Sequence, residues 1–304
     1  MNKFRLRAYV FLLITSIISG VAGPVIKLTL RQLPFDVFLF YRFFISSLVI
    51  IALLPFAKLH IPKKPSVLIY FLIYGFLNST VALGLLFLGT SKTTLLDMSL
   101  ISILGPIATI VVAHYFLRDH LTKRAQLGSF IAIIGAAFII IGPFLSTGDD
   151  VGQISGNVLI IIYLIVGALN SIILKRLLRI GVDPLSLTNM SFFIGFISFF
   201  VIILVQGKLT DALNIIKNLP LPYHAGVFYM ALMSGTLAYF LGNVAQKSIE
   251  VSEAAIFSYI FPVISAIFAV LLLGDKLTLE IVAGSIITFV GVFLAETRKR
   301  SYNR

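Results

Sequence analysis

The chain contains no cysteine, and only 12% of its 304 residues are charged. The absence of cysteine excludes disulfide bonds and thiolate metal sites. A soluble domain carries about 25% charged residues, so the scarcity of charge and the mean hydropathy of +1.06 exclude a substantial soluble domain. The chain is instead 59% hydrophobic, which predicts an all-α integral membrane protein that crosses the bilayer many times.

Sequence motifs for enzymatic chemistry are also lacking. The sequence has no HExxH, no GxSxG and no phosphate-binding glycine loop. Its four histidines are scattered, and they do not form a cluster with the carboxylates at the spacing of metal ligands. We therefore expect no enzymatic activity, no metal and no cofactor.

Ten apolar segments are each about long enough to cross a bilayer, which takes about 20 mostly apolar residues. Numbered 1 to 10 in chain order, they are 7–29, 36–57, 67–89, 94–117, 124–145, 155–178, 184–206, 224–246, 252–273 and 279–297. Proline, glycine and charged residues mark most of the boundaries between them. The longest loop is 207–223, and residues 212–219 within it are predicted to form a short interfacial helix.

The net charge of +12 is spread over alternate loops and is not gathered in one patch. With ten crossings, 17 lysines and arginines fall on the side of the two termini and 6 on the other side, Arg42 being inside segment 2. Cytoplasmic loops of membrane proteins carry such an excess. The pattern predicts cytoplasmic termini, with the lipid bilayer and not a nucleic acid as the partner of these charges. The lack of a recognisable targeting extension leads us to expect a cell (plasma or inner) membrane.

The second half of the chain repeats the first. Residues 94–141 and 250–297 align without a gap at an offset of 156. An odd number of crossings in each half gives the second copy the opposite orientation in the membrane, and inverted repeats around a midplane site are typical of secondary transporters. We expect two inverted five-helix units, residues 1–148 with segments 1–5 and residues 149–304 with segments 6–10.

Two prolines occupy equivalent positions in the repeats, near the centres of segments 4 and 9. Pro106 and Pro262 each remove a backbone donor, which kinks or opens a helix. Paired breaks in two inverted halves point to a central binding site. We predict that both prolines are hinge or gate positions, the alternative being kinks that serve packing only.

Charged residues inside apolar segments are costly in a bilayer and are therefore candidates for function. Lys27, which aligns with Lys175 at an offset of 148, and Arg42 are predicted to bind an anionic group of a substrate. Pairing with Asp97 and snorkelling to the membrane surface are the alternatives. The equivalent carboxylates Asp97 and Glu253 begin segments 4 and 9, where they are candidates for proton coupling or stabilise a helix N-terminus.

Neutral polar residues inside the segments are further candidates for substrate binding. Those selected are Asn78, Asn170, Tyr239, Asn243 and Tyr259. Bonding between helices is the alternative role for such side chains in lipid. Glycines at seven-residue spacing form a smooth stripe on segments 5 and 10, which indicates close packing either within the bundle or in a dimer.

Several of these motifs together resemble the EamA-type domain of the drug/metabolite transporter superfamily. The first copy has Leu104-Gly-Pro-Ile and Tyr115-Phe-Leu-Arg-Asp-His-Leu-Thr, and the second has Phe261-Pro262 and Leu272-Leu-Gly-Asp-Lys-Leu-Thr. Phe40-Tyr-Arg-Phe resembles the Arg-Phe signature of the family in segment 2. The family often has Glu where this chain has Asp119 and Asp275, and Asn189 replaces Arg42 at the equivalent position of the second copy.

The resemblance implies ten helices and a pocket between the halves, lined mainly by segments 1, 3, 4, 6, 8 and 9. It also implies transport of small organic solutes such as amino acids, nucleobases, vitamins or drugs, frequently outward. We therefore expect an exporter of small metabolites, with amino acids favoured, that works by alternating access and has protons as the candidate coupling ion. A flippase for lipids or lipid-linked headgroups and an uncoupled facilitator are the alternatives, and the oligomeric state stays open.

Overall fold

The computed structural model describes residues 3–53, 60–117, 123–147, 151–249 and 256–296, and all regular secondary structure within them is helical. Helices over segments 1–5 are Lys3–Thr29, Phe35–Leu53, Pro65–Lys92, the pair Leu95–Ser102 and Gly105–Leu117, and Lys123–Thr147. Helices over segments 6–10 are Val151–Arg179, Pro184–Val205, Leu221–Ser248, the pair Ile256–Tyr259 and Ile260–Leu273, and Leu279–Glu296. A short amphipathic helix, Leu209–Lys217, begins three residues before the one predicted at 212–219.

The surface of the bundle matches a lipid solvent. Within the described residues, six helices are long and apolar enough to cross a bilayer, and three shorter apolar helices lie over segments 5, 9 and 10. Large apolar side chains such as Phe130, Ile133, Phe289 and Phe293 are exposed on the outside. The chain is therefore a multi-pass membrane protein, and the count of ten crossings stays a prediction.

Segment 4 is interrupted just before its proline, and segment 9 changes its helical geometry just before its own. In segment 4 the helix stops at Ser102 and a new one starts at Gly105, so that Pro106 lies in its first turn. In segment 9 a 3₁₀ turn ends at Tyr259, and Pro262 lies in the first turn of the α-helix that follows. Proline is tolerated in a first turn because the N–H it lacks would have no partner there. The structure thus shows an interruption before Pro106 and a change from 3₁₀ to α-helical geometry before Pro262, and the hinge or gate role of the two prolines stays a prediction.

Segments 3 and 8 widen into π-helical turns at overlapping repeat positions. These turns are Phe76–Ala82 and Tyr229–Leu237. A π-helical turn inserts extra backbone and redirects side chains, and such turns are frequent at functional sites. The sequence analysis did not predict them.

Helix contacts repeat between the halves. Segment 1 packs on segment 8 as segment 6 packs on segment 3. The second contact is close because Gly156 and Gly89 face each other; a Cβ on Gly156 would lie 2.9 Å from the Gly89 carbonyl oxygen. The first contact has Ala8 and Ala245 at the equivalent positions, both buried. Small residues let helices approach closely in a membrane.

Segments 2 and 7 pack against each other through aromatic side chains. Phe43 contacts the rings of Phe192 and Phe199, with centroids 5.6 and 6.0 Å apart, and Phe40 stacks on Phe196 at 5.8 Å. Offset and edge-on arrangements at these distances stabilise aromatic pairs beyond the area they bury. This cluster holds the helix that carries Arg42.

The glycine stripes of segments 5 and 10 face each other inside the bundle. A Cβ on Gly284 would lie 2.8 Å from the Gly135 carbonyl oxygen, and one on Gly291 would lie 2.7 Å from the Gly128 carbonyl oxygen. The two backbones therefore touch directly, as in other small-residue crossings. The stripe is used for packing within the chain.

Replacing Gly291 with alanine should destabilise the protein, because the new methyl group would press on the backbone of segment 5. Overpacking of this kind costs about 1–3 kcal/mol. Gly167→Ala is the matched control, since a Cβ there meets nothing within 4 Å and alanine favours a helix over glycine. Thermal unfolding of the purified variants in detergent measures both. Equal midpoints for Gly291→Ala and Gly167→Ala would contradict the direct backbone contact.

Candidate functional site

A cavity of about 360 Å³ lies between the two halves. This volume is in the range of pockets that bind small molecules. Its walls come from segments 1, 3, 4, 6, 8 and 9, which are those that the resemblance implied, and from Arg42 of segment 2. The polar lining residues are Thr15, Ser16, Ser19, Arg42, Thr109, Tyr163, Ser171, Ser234, Tyr239 and Gln246.

One face of segment 1 forms a long wall of the cavity. The residues on this face are Leu12, Thr15, Ser16, Ser19, Ala22, Gly23 and Ile26. Steps of three and four residues place them on one side of a helix. This face was not among the predicted binding residues, because serine and threonine in a helix often bond to their own backbone; the signal for it in the sequence is the helical spacing of small hydroxyl residues.

Arg42 is the charged centre of the cavity wall. Only 1% of the residue is exposed, and its Nε and Nη1 atoms have no hydrogen-bond partner among the described residues. Its guanidinium carbon lies 5.5 Å from the ring centre of Phe43, 5.6 Å from that of Phe87 and 5.8 Å from that of Phe192. Aromatic faces attract cations, but they leave the N–H donors of the fork unsatisfied.

Segment 8 brings its π-helical turns and Tyr239 to the same place. A Cβ on Gly235 would lie 3.4 Å from the Arg42 Nη2 atom, so glycine there leaves room for the guanidinium group. Tyr239 packs edge-on against Phe192, with ring centres 5.3 Å apart. Of the seven residues predicted to bind substrate, the structure places Arg42 and Tyr239 on the cavity wall.

Lys27 is half-buried and binds the end of a neighbouring helix. Its ammonium group donates hydrogen bonds to the carbonyl oxygens of Thr90, at 2.9 Å, and of Thr93. These carbonyls belong to the last turn of segment 3, where backbone acceptors have no partner within the helix. A cation is also favourable at this negative end of the helix dipole.

Lys175 makes the equivalent contacts in the second half. Its ammonium group donates to the carbonyl oxygens of Gln246, at 2.8 Å, and of Ile249 at the end of segment 8. Gln246 and Ile249 are the residues of the second half that correspond to Thr90 and Thr93 at the repeat offset of 156. The same lysine contact therefore occurs once in each half, which neither the anion-binding nor the snorkelling interpretation anticipated.

The two lysine contacts lie at opposite ends of the bundle. Thr93, which binds Lys27, also contacts Asn157 in the first turns of segment 6, through their side chains. Lys175 lies 18 residues further along the same helix, which is about 27 Å at the rise of an α-helix. A contact of the same type thus lies near each end of segment 6.

Asp97 is fully buried at the Lys27 end. Its Oδ2 atom accepts hydrogen bonds from Gln153 Nε2, at 2.6 Å, and from Asn157 Nδ2, at 3.3 Å. Its Oδ1 atom has no partner among the described residues. Asp97 also lies in the first turn of segment 4, as expected for a carboxylate that favours a helix N-terminus. Its repeat partner Glu253 lies outside the described residues.

Three predicted binding residues join helices away from the cavity wall. Asn170 Nδ2 donates to Asn78 Oδ1 at 3.3 Å, between segments 6 and 3. Asn243 Nδ2 donates to Thr188 Oγ1 at 2.9 Å, between segments 8 and 7. Side-chain amides commonly bond helices together in lipid, so these contacts match the alternative role.

Tyr259 and the two prolines lie beside the helix breaks. Tyr259 packs against a buried cluster that includes Leu104 and Ile107. Pro106 and Pro262 are themselves buried, and the cavity contacts the chain near each of them, at Thr109 and at Phe261. The chain just after Pro106 thus supplies one polar lining residue, Thr109, whereas Phe261 beside Pro262 is apolar.

Comparisons with known proteins agree with this architecture. The profile of the EamA-like transporter family matches residues 6–141 and again residues 154–297. The uncharacterized transporter YyaM of Bacillus subtilis is 26% identical over 296 residues, which cover 95% of this chain and 93% of that protein. An uncharacterized transporter of Archaeoglobus fulgidus is 22% identical, over 96% of this chain and 98% of that protein.

A solved crystal structure shares the fold. It aligns with a TM-score of 0.60 at 14% sequence identity, and the alignment covers 95% of this chain and 96% of the other. The two matches of the family profile together span nearly all of the chain, and they include the segments that line the cavity. The protein belongs to the EamA-like transporter family.

Proposed function

We propose that the protein is a secondary transporter that exports small metabolites by alternating access, with amino acids as the leading class of substrate. It crosses the cell membrane ten times with both termini in the cytoplasm. Residues 1–148 and 149–304 form the two inverted halves, which close alternately above and below the central cavity. The observation that carries this proposal is the cavity between the two halves, bordered by broken helices, in a member of a transporter family.

Arg42 and Tyr239 contact the substrate in this proposal, because they line the cavity. Lys27 and the bonded residues Asn78, Asn170 and Asn243 position helices, because their polar atoms already contact other parts of the bundle.

The lysine contacts provide two gates for alternating access. With cytoplasmic termini, Lys27 closes the outer end and Lys175 closes the inner end. Opening one end requires its lysine to leave the carbonyl oxygens of segment 3 or of segment 8, while the breaks at Pro106 and Pro262 let parts of segments 4 and 9 move. When either contact opens, the ammonium group and the carbonyl groups lose their partners, which is unfavourable inside a bilayer. This cost forms a free-energy barrier between the outward-open and the inward-open state.

The polar network around Asp97 is the proposed site of proton coupling. A buried carboxylate with one free oxygen can carry a proton, and protonation would weaken its hold on Gln153 and Asn157. Glu253 holds the equivalent position at the inner end. A proton on one carboxylate would thereby favour opening of that end.

Counterflow in proteoliposomes tests transport itself. Vesicles loaded with pooled amino acids should accumulate labelled tracer, whereas vesicles loaded with pooled sugars or nucleosides should not. Protein-free vesicles are the control. Silence with every solute pool, from protein that is folded, would contradict the proposal and favour a lipid flippase.

Asp97→Asn and Glu253→Gln test the coupling. Each should keep counterflow, because exchange needs no net proton movement, and should lose accumulation driven by a pH gradient. Asp211→Asn, which changes an exposed carboxylate on the short helix, is the matched control. Wild-type accumulation and pH dependence in both variants would establish that protons are not carried at these positions.

The lysine gates can be tested by cysteine labelling, because the chain has no cysteine of its own. A Ser19→Cys reporter on the cavity wall should react faster with an impermeant maleimide outside the cell when Lys27→Met is added, and more slowly when Lys175→Met is added. Hydrogen bonds to a charged group contribute about 1.5–3 kcal/mol each, so about tenfold changes are expected.

Lys208→Met, at an exposed position, is the matched control for both lysine variants. Labelling that changes in the same direction for Lys27→Met and Lys175→Met would argue against gates at opposite ends.

A further inference from the structure

The charge of the cavity wall is unbalanced. Arg42 is the charged residue among the described residues that line the cavity, and no aspartate or glutamate lies beside it on that wall. Asp97 belongs to the polar network at the Lys27 end and does not line the cavity. The described wall therefore has one fixed positive charge and no carboxylate that could pair with a cationic group of a ligand.

The guanidinium group is held ready for an anion. Burial of a charge without hydrogen-bonding partners is unfavourable, yet Nε and Nη1 of Arg42 have none among the described residues. The three phenylalanine rings lie 5.5–5.8 Å from the guanidinium carbon and supply no hydrogen-bond acceptor. A planar fork of N–H donors matches the two oxygens of a carboxylate.

The rest of the cavity is suited to an apolar body. Its apolar lining includes Leu83, Leu86, Phe87, Met98, Phe257 and Phe261. Several of its hydroxyl groups already donate to the backbone, as Thr15 does to the Ala238 carbonyl oxygen at 3.2 Å and Ser16 to that of Phe257 at 2.8 Å. A cationic ammonium group placed here would meet neutral dipoles and aromatic faces but no described carboxylate, at a cost in desolvation.

We propose that the cavity binds a small organic monocarboxylate with an apolar body, and that the carboxylate of this ligand is recognised by the guanidinium group of Arg42. This inference rests on the proposed function of transport and moves the preferred substrate from amino acids to monocarboxylates that lack an ammonium group. An amino acid would be bound through its carboxylate, and its ammonium group would weaken binding. The repeat position of Arg42 is the neutral Asn189, so the two halves supply one such site and not two.

Three ligands that share a phenyl body test the proposal with purified full-length protein in detergent. They are 3-phenylpropionate, its neutral amide 3-phenylpropanamide, and L-phenylalanine. Titration calorimetry should give the tightest binding for 3-phenylpropionate, with L-phenylalanine weaker and the amide at least about tenfold weaker, since a hydrogen-bonded charge pair is lost. The amide also controls for partition into detergent.

Variants of Arg42 test the assigned contact. Arg42→Gln should weaken 3-phenylpropionate binding at least about tenfold and leave amide binding unchanged. Arg42→Lys should give an intermediate affinity, because it keeps the charge and loses the fork. Size-exclusion profiles of both variants establish that they fold, and Arg42→Lys provides the test if Arg42→Gln does not.

Four results would overturn the proposal: equal binding of the amide and the carboxylate, wild-type affinity in the Arg42 variants, preference for L-phenylalanine over 3-phenylpropionate, or no binding of any of the three. Failure of transport is a separate result. Carboxylate binding that depends on Arg42, in protein that is silent in every counterflow assay, would support this site and reject the transporter mechanism.

Discussion

Inside a bilayer, a backbone carbonyl that leaves its helix has no water to bind, and this constraint governs where the bundle can be broken. The ends of segments 3 and 8 present such carbonyls, and the ammonium groups of Lys27 and Lys175 bind them. A lysine inside an apolar segment is costly by itself. In this structure, the cost of burying the lysine charge and the cost of burying unpaired carbonyl groups offset each other, because the ammonium group and the carbonyl oxygens meet at the same helix end. The result is a polar contact at each end of the bundle and a cavity between them.

The inverted repeat accounts for most of the remaining contacts. Segments 1 and 8 repeat the packing of segments 6 and 3, and the self-equivalent pairs 2 with 7 and 5 with 10 close the bundle through aromatic rings and facing glycines. The halves differ where the cavity is charged, since Arg42 has the neutral Asn189 as its counterpart. The helix packing is therefore nearly the same in the two halves, whereas the charge on the cavity wall comes from one half only.

Several sequence interpretations changed once neighbouring segments were in view. Lys27 was predicted to bind an anion because it is a charge inside an apolar segment. Its actual partners are backbone carbonyl groups more than 60 residues away, and the sequence gives no sign of such a contact. Asn78 and Asn170 are ordinary interhelical partners, since their pairing depends on how segments 3 and 6 cross. The glycine stripe could serve a dimer or the bundle, and only the facing stripe on segment 10 decides between them. The hydroxyl face of segment 1 was overlooked because serine and threonine in a helix can also satisfy themselves locally.

The sequence by itself determined the class of protein, the family, the twofold repeat and the interruption of segment 4 before Pro106. These properties follow from hydrophobic length, composition and internal similarity, which are local or periodic and can be read along one chain. Tertiary structure alone decided which polar groups bond to each other and which face the cavity. Arg42 lies on the cavity wall, where three rings surround it without supplying a hydrogen-bond acceptor. Lys27 binds a helix end because the last turn of segment 3 lies beside it. These contacts depend on how the helices pack against each other, and the residue type at a single position does not reveal them.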